Sequence, residues 1–165
     1  MQNEMTTFVR VAEADDVALL VALTRDAIRN HEGIRGAEMF AVREARAEPL
    51  VDSLALTIAG PQSRAWICGI DQVDLGFAIA HTEPLRNEVI HAIIDEIYVD
   101  PGARAVGLGE MLMEAVIEWA KSQNASSIDA IALPGDRETK NFFEMSGFTA
   151  RLLIMHSRLT KNSDE

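Results

Sequence analysis

A glycine-containing stretch in the middle of the chain has the residue types of an anion-binding loop. An apolar segment ends at Val99, Pro101 marks a turn, and the pattern Arg104-x-x-Gly107-x-Gly109 opens an amphipathic segment. Two closely spaced glycines let successive backbone N–H groups point at one ligand, and the start of a helix adds unpaired donors and the positive end of its dipole. Arg104 adds a permanent cation. The pattern therefore predicts a site for a phosphorylated ligand.

Three kinds of phosphate-binding loop compete for this pattern. A dinucleotide-binding loop requires Gly-x-Gly-x-x-Gly, but Leu112 stands at the third glycine position and no repeated strand–helix unit precedes it. A P-loop requires Gly-Lys followed by Ser or Thr, whereas Glu110 follows Gly109. Both therefore fail at required positions, and the third kind is the one to which the chain shows a family resemblance.

The stretch resembles the signature of the GNAT superfamily of N-acetyltransferases, in which Arg/Gln-x-x-Gly-x-Gly/Ala lies between a central strand and a helix. The matching residues are Arg104, Gly107 and Gly109 in the loop and Ile97, Val99 and Pro101 before it. A second family segment, a short helix that ends in an aromatic pair and Gly-Phe, matches residues 141–148. The order of the elements agrees over nearly the whole chain.

This resemblance implies that acetyl-CoA is bound as the acyl donor and that no metal is used. The residues then expected at the cofactor are Tyr98, Val99, Arg104, Ala105, Val106, Gly107, Leu108, Gly109, Glu110, Asp136, Asn141 and Phe143. The backbone of residues 104–110 would hold the pyrophosphate. The family splays the central strand from the next one, so that pantetheine can bond to free backbone, and an N–H near Val99 would stabilise the oxyanion.

Asp95 and Glu96 are the candidate catalytic bases. An alkylammonium must lose a proton before it can attack, and family members often use a glutamate on or near the central strands. Because consecutive strand residues face opposite sides, we expect only one of the two acids to face the substrate, and Glu96 is favoured. The alternative is that the acid binds the substrate ammonium or is solvated at a strand edge.

Phe143 departs from the family pattern. The family usually has a tyrosine there, which protonates the leaving CoA thiolate, and phenylalanine cannot donate a proton. Another donor or water would serve, or the protein binds acetyl-CoA without efficient transfer. Asp136 stands where an asparagine commonly contacts pantetheine, and its alternative role is a helix cap. Asn141 could reach the cofactor amides instead.

Hydrophobic periodicity predicts the elements that position these residues. Strands are predicted at 8–12, 65–70, 75–80, 88–99, 128–133 and 151–159, and helices at 17–28, 37–59 with an interruption near Pro49, 111–122 and 136–146. Hairpins in the first half and a strand–helix–strand crossover in the second predict an α/β fold (mixed α+β), with a mostly antiparallel sheet and helices on both faces. One acetyltransferase domain over 1–160 and a loose tail at 161–165 are expected.

Composition narrows the class of ligand and partner. The net charge of −11, from 26 acids against 15 bases, argues against nucleic-acid binding and is compatible with a cationic small substrate. No apolar run approaches the ~20 residues of a membrane span, so no membrane partner is expected. A single cysteine, Cys68, and an N-terminus without signal-peptide features favour a cytoplasmic location.

The four histidines show no metal-ligand spacing and are interpreted as structural or exposed. They are His31, His81, His91 and His156. The segment 30–40 walls the acceptor pocket in relatives, where His31 and its neighbours could select the substrate; an exposed loop is the alternative.

The favoured interpretation is an N-acetyltransferase that transfers acetyl to a primary amine of an unidentified small acceptor in a ternary complex. The alternative is a non-catalytic acyl-CoA-binding module. Dimers are frequent in the family, so the resemblance implies a homodimer.

Overall fold

The computed structural model describes residues 5–159 and confirms the mixed α/β fold around one five-stranded sheet. The strands are β1 (Thr7–Val11), β2 (Ser63–Ile70), β3 (Val73–Pro84), β4 (Ile90–Val99) and β5 (Ser127–Ala130). They lie side by side in chain order; the first four are antiparallel and β5 runs parallel to β4. The tail predicted at 161–165 lies outside the described residues.

The described residues form five α-helices. They are α1 (Val17–Asn30), α2 (Ala37–Arg43), α3 (Leu50–Ala59), α4 (Leu108–Ser122) and α5 (Arg137–Met145). The helical region predicted over 37–59 is therefore two helices, and the break falls before Pro49, which is extended and precedes α3. Helix α4 makes the crossover that the parallel β4–β5 pair requires.

Each face of the sheet has its own core. On one face, Leu20 of α1 and Leu54 of α3 pack with Phe77 and other sheet residues. On the other face, Leu112 and Val116 of α4 pack against the strands. All five are completely buried, and each side chain of this size contributes about 1.5–3 kcal/mol on burial. The prediction of helices on both faces is confirmed.

The prediction of a final strand at 151–159 is wrong. Residues 149–159 have no regular secondary structure and are exposed, and β5 ends at Ala130 instead of residue 133. An apolar run can define the faces of a strand, but the strand forms only where a partner backbone is available. Within the described part of the chain, no backbone group forms a hydrogen bond with the backbone of residues 149–159.

Candidate active site

The loop after β4 has the geometry that the sequence predicts. Residues Pro101–Val106 form a 3₁₀ turn, which Asp100 stabilises by accepting a hydrogen bond from the Gly102 N–H at 2.8 Å. Gly107 follows with φ of 83°, in the left-handed region that favours glycine, and α4 begins at the next residue. The first turn of α4 therefore presents unpaired N–H groups at the end of β4.

Arg104 links the end of β4 to α5. Its Nε donates to the carbonyl oxygen of Val99 at 3.0 Å, and its Nη1 contacts Glu138 Oε2 at 2.7 Å. Glu138 is an exposed partner, and such surface pairs are worth only ~0–1 kcal/mol. An anionic ligand can therefore replace Glu138 at little cost.

The edge of β4 is open beside this loop. Strand β5 pairs with β4 only from His91 to Ile94, so the part of β4 from Asp95 to Val99 extends beyond it. On this side, no strand among the described residues pairs with that part of β4. The two strands thus separate where the family resemblance implies that they should, and backbone donors and acceptors face the opening.

A cavity of about 170 Å³ lies at the open edge. It is lined by Ala27, Asn30, His31, Ile97, Tyr98, Val99, Arg104, Gly109, Glu110, Glu138, Thr139 and Phe142. A second depression of about 330 Å³ shares Glu110, Glu138 and Phe142 with it and is completed by Asn141, Met145 and Ser146. The two together form a groove from the end of β4 to the outer face of α5.

Five of the residues predicted at the cofactor line the first cavity and Asn141 lines the second. The five are Tyr98, Val99, Arg104, Gly109 and Glu110. Ala105, Val106 and Gly107 belong to the loop and line neither cavity. Leu108, the first residue of α4, lines neither cavity either and is completely buried in the core. Whether these residues bind the cofactor stays a prediction.

Asp136 and Phe143 line neither cavity. Asp136 caps α5: its carboxylate accepts hydrogen bonds from the Thr139 N–H at 3.0 Å and the Thr139 hydroxyl at 2.6 Å, so the capping role is confirmed. Phe143 is 6% exposed and packs between Phe142 and Phe148, with ring centroids 5.6 and 5.4 Å away. The aromatic residue that reaches the cavity is Phe142.

A β-bulge places both candidate acids on the same face of the sheet. Glu96 lies opposite Ile79, but Ile94 lies opposite Ala80, so Asp95 is an extra residue in β4. Their partners, Arg46 and His81, belong to the α1–α3 face. The premise that these two consecutive residues face opposite sides was wrong, because a bulge interrupts the alternation of an ordinary strand. Which of the two acids faces the substrate stays a prediction.

Glu96 is held in a half-buried ion pair. Arg46 Nε lies 2.6 Å from Glu96 Oε1, and the same guanidinium donates to the hydroxyls of Ser53 and Thr57, each at 2.9 Å. Burial raises the pKa of Glu96, and the positive charge of Arg46 opposes that shift. Glu96 does not line the cavity. The pair ties β4 to the segment around α3.

Asp95 pairs with His81 of β3. The His81 Nδ1 lies 2.8 Å from Asp95 Oδ2, and this hydrogen bond raises the pKa of His81. Asp95 does not line the cavity either. His81 could not be found from the sequence because its nearness to Asp95 depends on the bulge register.

The cavity lining includes an imidazole and a phenol, those of His31 and Tyr98, that were not assigned to proton transfer from the sequence. His31 ends α1 and stacks edge-on against Phe40, with ring centroids 5.8 Å apart. Tyr98 lies beside Phe77, and burial raises the pKa of its phenol, so the hydroxyl stays protonated. The sequence signal for His31 was its place in the segment expected to wall the acceptor pocket.

Neither a metal cluster nor a membrane span is found among residues 5–159. No group of three or more His, Cys, Asp and Glu side chains there could hold a metal ion. In the same part of the chain, no helix has the length and hydropathy to cross a bilayer.

Comparison with known proteins supports an acetyl-CoA enzyme. The acetyltransferase (GNAT) family profile matches residues 21–148. No curated protein sequence matches the chain.

Three solved structures are similar in fold. A mutant of the BH1408 protein from Bacillus halodurans is 17% identical, with a TM-score of 0.76 and coverage of 93% of this chain and 99% of that one. A predicted acetyltransferase with acetyl-CoA from Clostridium acetobutylicum is 16% identical, with a TM-score of 0.71 over 93% and 97%. An aminoglycoside acetyltransferase with sisomicin, from an uncultured soil metagenomic sample, is 14% identical, with a TM-score of 0.70 over 94% and 97%.

The Arg46–Glu96 pair gives a prediction about stability. Arg46→Ala leaves a half-buried carboxylate without its cation, and we expect a loss of about 2–3 kcal/mol at neutral pH. Burial already raises the pKa of Glu96, and Arg46 opposes that shift, so loss of the arginine should raise this pKa further. A raised carboxyl pKa means that the folded state favours the protonated form, so the deficit should be smallest in acid and grow as the pH rises. Urea unfolding followed by circular dichroism at mildly acidic and neutral pH measures it.

Two further variants control this experiment. Arg43→Ala removes an arginine whose pair with Glu44 is on the surface, and we expect a change below about 0.5 kcal/mol. Adding Glu96→Gln to Arg46→Ala removes the unpaired charge and should recover stability at neutral pH. An equal loss for both arginine variants, or a deficit independent of pH, contradicts the assignment.

Proposed function

The chain belongs to the acetyltransferase (GNAT) family, and from that membership we propose that it transfers acetyl from acetyl-CoA to a primary amine of a small acceptor by direct attack. The observation that carries the proposal is the open edge of β4, which meets the N-terminus of α4 and the cavity that contains His31 and Tyr98. One place thus offers an anion site, free backbone for an amide-bearing chain, and groups that move protons.

In this proposal the cofactor follows the groove. The N–H groups of residues 104–110 bind the pyrophosphate, and Arg104 exchanges its contact with Glu138 for phosphate. Pantetheine lies along the free edge of β4, with Asn141 near its amides. The thioester then reaches Val99, where a backbone N–H can stabilise the oxyanion; such a donor is worth about 10²–10³ in rate.

The reaction requires a base that removes a proton from the amine and an acid that donates a proton to the CoA thiolate. The amine, after losing a proton, attacks the thioester carbonyl carbon; the C–S bond then breaks and the CoA thiolate takes a proton. We assign the base to His31 and the donor to Tyr98, whose phenol stays protonated because burial raises its pKa. Tyr98 would replace the hydroxyl that Phe143 lacks.

Asp95 and Glu96 are less direct candidates for the base. Asp95 lies four residues before Val99, about 13 Å away at the rise of a β-strand, so either acid would need water to reach the reacting amine. Both already have cationic partners. His31 lines the cavity itself and needs no such chain of water.

The acceptor class we propose is a small molecule with more than one amine. A chain of net charge −11 attracts cations, and one similar structure is an aminoglycoside acetyltransferase with sisomicin. The second candidate function, an acyl-CoA-binding module without turnover, is favoured by Phe143, since a buried phenylalanine cannot protonate a thiolate.

Thiol release distinguishes these two functions. Purified protein is mixed with acetyl-CoA and a panel that contains an aminoglycoside, a polyamine, a lysine peptide and a peptide with a free N-terminal alanine, while free thiol is monitored. We expect release above the acceptor-free rate with at least one polycationic small amine. CoA binding in calorimetry with no release from any acceptor would favour the binding module instead.

Gly107 tests the placement of the pyrophosphate. Gly107→Val puts a β-branched residue at a φ of 83°, which distorts the loop and turns its N–H groups away from a common point. We expect the acetyl-CoA dissociation constant in calorimetry to rise at least about tenfold, because one hydrogen bond to a charged group is worth ~1.5–3 kcal/mol.

The matched control is Gly147→Val. Gly147 has a φ of 89° and, like Gly107, would have nothing within 4 Å of an added Cβ, but it lies after α5 and lines neither cavity. Both variants carry the same backbone strain, so only the loop variant should lose affinity. Similar affinities for the two variants argue against a pyrophosphate at this loop.

Tyr98→Phe tests the proton donor. The variant keeps the ring that packs near Phe77 and removes only the hydroxyl. We expect kcat to fall about 10²-fold or more, as for loss of a general acid, while acetyl-CoA affinity stays the same. Steady-state thiol release and calorimetry measure the two quantities, and an unchanged kcat would leave Tyr98 a packing residue.

His31→Gln tests the base in the same assay. We expect kcat/KM to fall about 10²–10⁴-fold, as for loss of a general base, while acetyl-CoA affinity in calorimetry stays the same. Asp95→Asn and Glu96→Gln should each lose less activity than His31→Gln; if either loses more, the base is that acid and not the histidine.

A further inference from the structure

Two loops that continue from different walls of the first cavity touch each other. One loop, residues 31–36, joins α1 to α2, and the other, residues 131–136, joins β5 to α5. His31 begins the first loop and lines the cavity, and Glu138 and Thr139 line it directly after the second loop. A contact between the two loops therefore connects the wall formed by α1 with the wall formed by α5.

A glycine in each loop permits this close approach. A Cβ on Gly36 would lie 3.2 Å from Cδ of Pro134, and a Cβ on Gly135 would lie 2.8 Å from the backbone nitrogen of Arg35. Carbon atoms attract each other best at about 3.5–4.0 Å and repel at shorter distances. A methyl group at either glycine would therefore push the two loops apart.

The contact between the loops is one of packing. Leu133 is 9% exposed, although it belongs to neither of the two cores that cover the sheet. A Cβ on Gly36 would lie 3.7 Å from its Cδ2, so the first loop is part of what buries this side chain. Among the described residues, no backbone hydrogen bond joins 31–36 to 131–136. A small change of shape at the glycines is therefore enough to separate the loops.

Hydrogen bonds connect this contact to residues that line the cavity. On the side of α1, the Ile34 N–H donates to the carbonyl oxygen of His31 at 3.1 Å. On the side of α5, the Asp136 N–H donates to the carbonyl oxygen of Leu133 at 3.0 Å, and the Asp136 carboxylate accepts from Thr139. Packed groups and hydrogen bonds that follow one another in this way transmit a displacement. The contact thus sets the separation of the two walls.

We propose that Gly36 and Gly135 are positioning residues, which let the two loops meet and thereby hold His31 where the transfer requires it. The inference rests on the proposed function, in which His31 is the base. Reacting groups that are held in the right geometry react far faster than free ones, and a misplacement of about 1 Å can cost ~10²-fold in rate. A Cβ at either glycine acts on the rate through this displacement.

Gly135→Ala tests the contact most directly. Gly135 does not have a positive φ, so alanine changes the contact without straining the backbone at that residue. We expect kcat in the thiol-release assay to fall at least about tenfold, because the new Cβ must displace the backbone of Arg35. Acetyl-CoA affinity in calorimetry should stay the same, since residues 101–109 are unaltered.

Gly36→Ala and Gly33→Ala form a matched pair in the other loop. The two glycines have φ of 96° and 77°, so both variants carry the strain of a left-handed residue. A Cβ on Gly36 meets Pro134, whereas a Cβ on Gly33 meets nothing within 4 Å. Only Gly36→Ala should lower kcat as Gly135→Ala does. Equal losses in the matched pair would assign the effect to backbone strain and overturn the proposal.

A double-mutant cycle shows whether the contact acts through His31. In the His31→Gln background, Gly135→Ala should lower kcat by less than about twofold, because the side chain that the contact positions has already been removed. The same fold-loss with and without the imidazole would mean that the contact supports the fold or another group. That result would overturn the positioning role.

Hydrogen exchange distinguishes a failure of this inference from a failure of the proposed function. Gly135→Ala should speed amide exchange at residues 31–37, in the loop that it does not belong to. Gly36→Ala should likewise speed exchange at residues 133–139, and Gly33→Ala should not. Exchange that does not change across the contact would overturn the inference whatever the activity. If exchange responds but the unaltered protein releases no thiol with any acceptor, the proposed function has failed, and the positioning role fails with it.

Discussion

The shortness of β5 is the constraint on which the site depends. Pairing between β4 and β5 ends at Ile94, although β4 continues to Val99. Over the last five residues of β4, about 16 Å of strand edge therefore has no strand partner on this side among the described residues. Helix α4 starts beside the end of that edge because Gly107 turns the chain, and the cavity forms between the edge, α1 and α5. A longer β5 would fill the groove with its own backbone.

The two acids at the bulge support this opening from the other side. The extra residue increases the local twist of β4. The bulge places the carboxylates of Asp95 and Glu96 on the same face of the sheet, where each needs a partner. Arg46 and His81 provide them from the α3 segment and from β3. The pairs thus hold the bulge while β4 diverges from β5. This structural task explains why carboxylates occur there and does not depend on their taking part in proton transfer.

Local features of the fold could be predicted from the sequence, whereas features that depend on strand pairing could not. The Arg104, Gly107 and Gly109 spacing encodes a turn and a helix start within a few residues, so the turn and the start of α4 were predicted correctly. The orientation of Asp95 was not, because the bulge is a property of the pairing between two strands. The strand predicted at 151–159 failed for a related reason: its apolar pattern describes what the segment can bury, whereas a strand also requires backbone pairing, and no described backbone group pairs with this segment.

The two glycines of the loop satisfy different physical requirements. Gly107 needs freedom of φ, and a Cβ there would meet nothing within 4 Å. A Cβ on Gly109 would lie 3.2 Å from the ring of Phe142, so this glycine lets α5 pack against the first turn of α4. Neighbouring helical residues point about 100° apart, which directs Phe142 to the cavity and Phe143 into the core. The aromatic pair thus forms the side of the groove that α5 contributes. Since neither phenylalanine can donate a proton, the donor must belong to a different element that lines the groove.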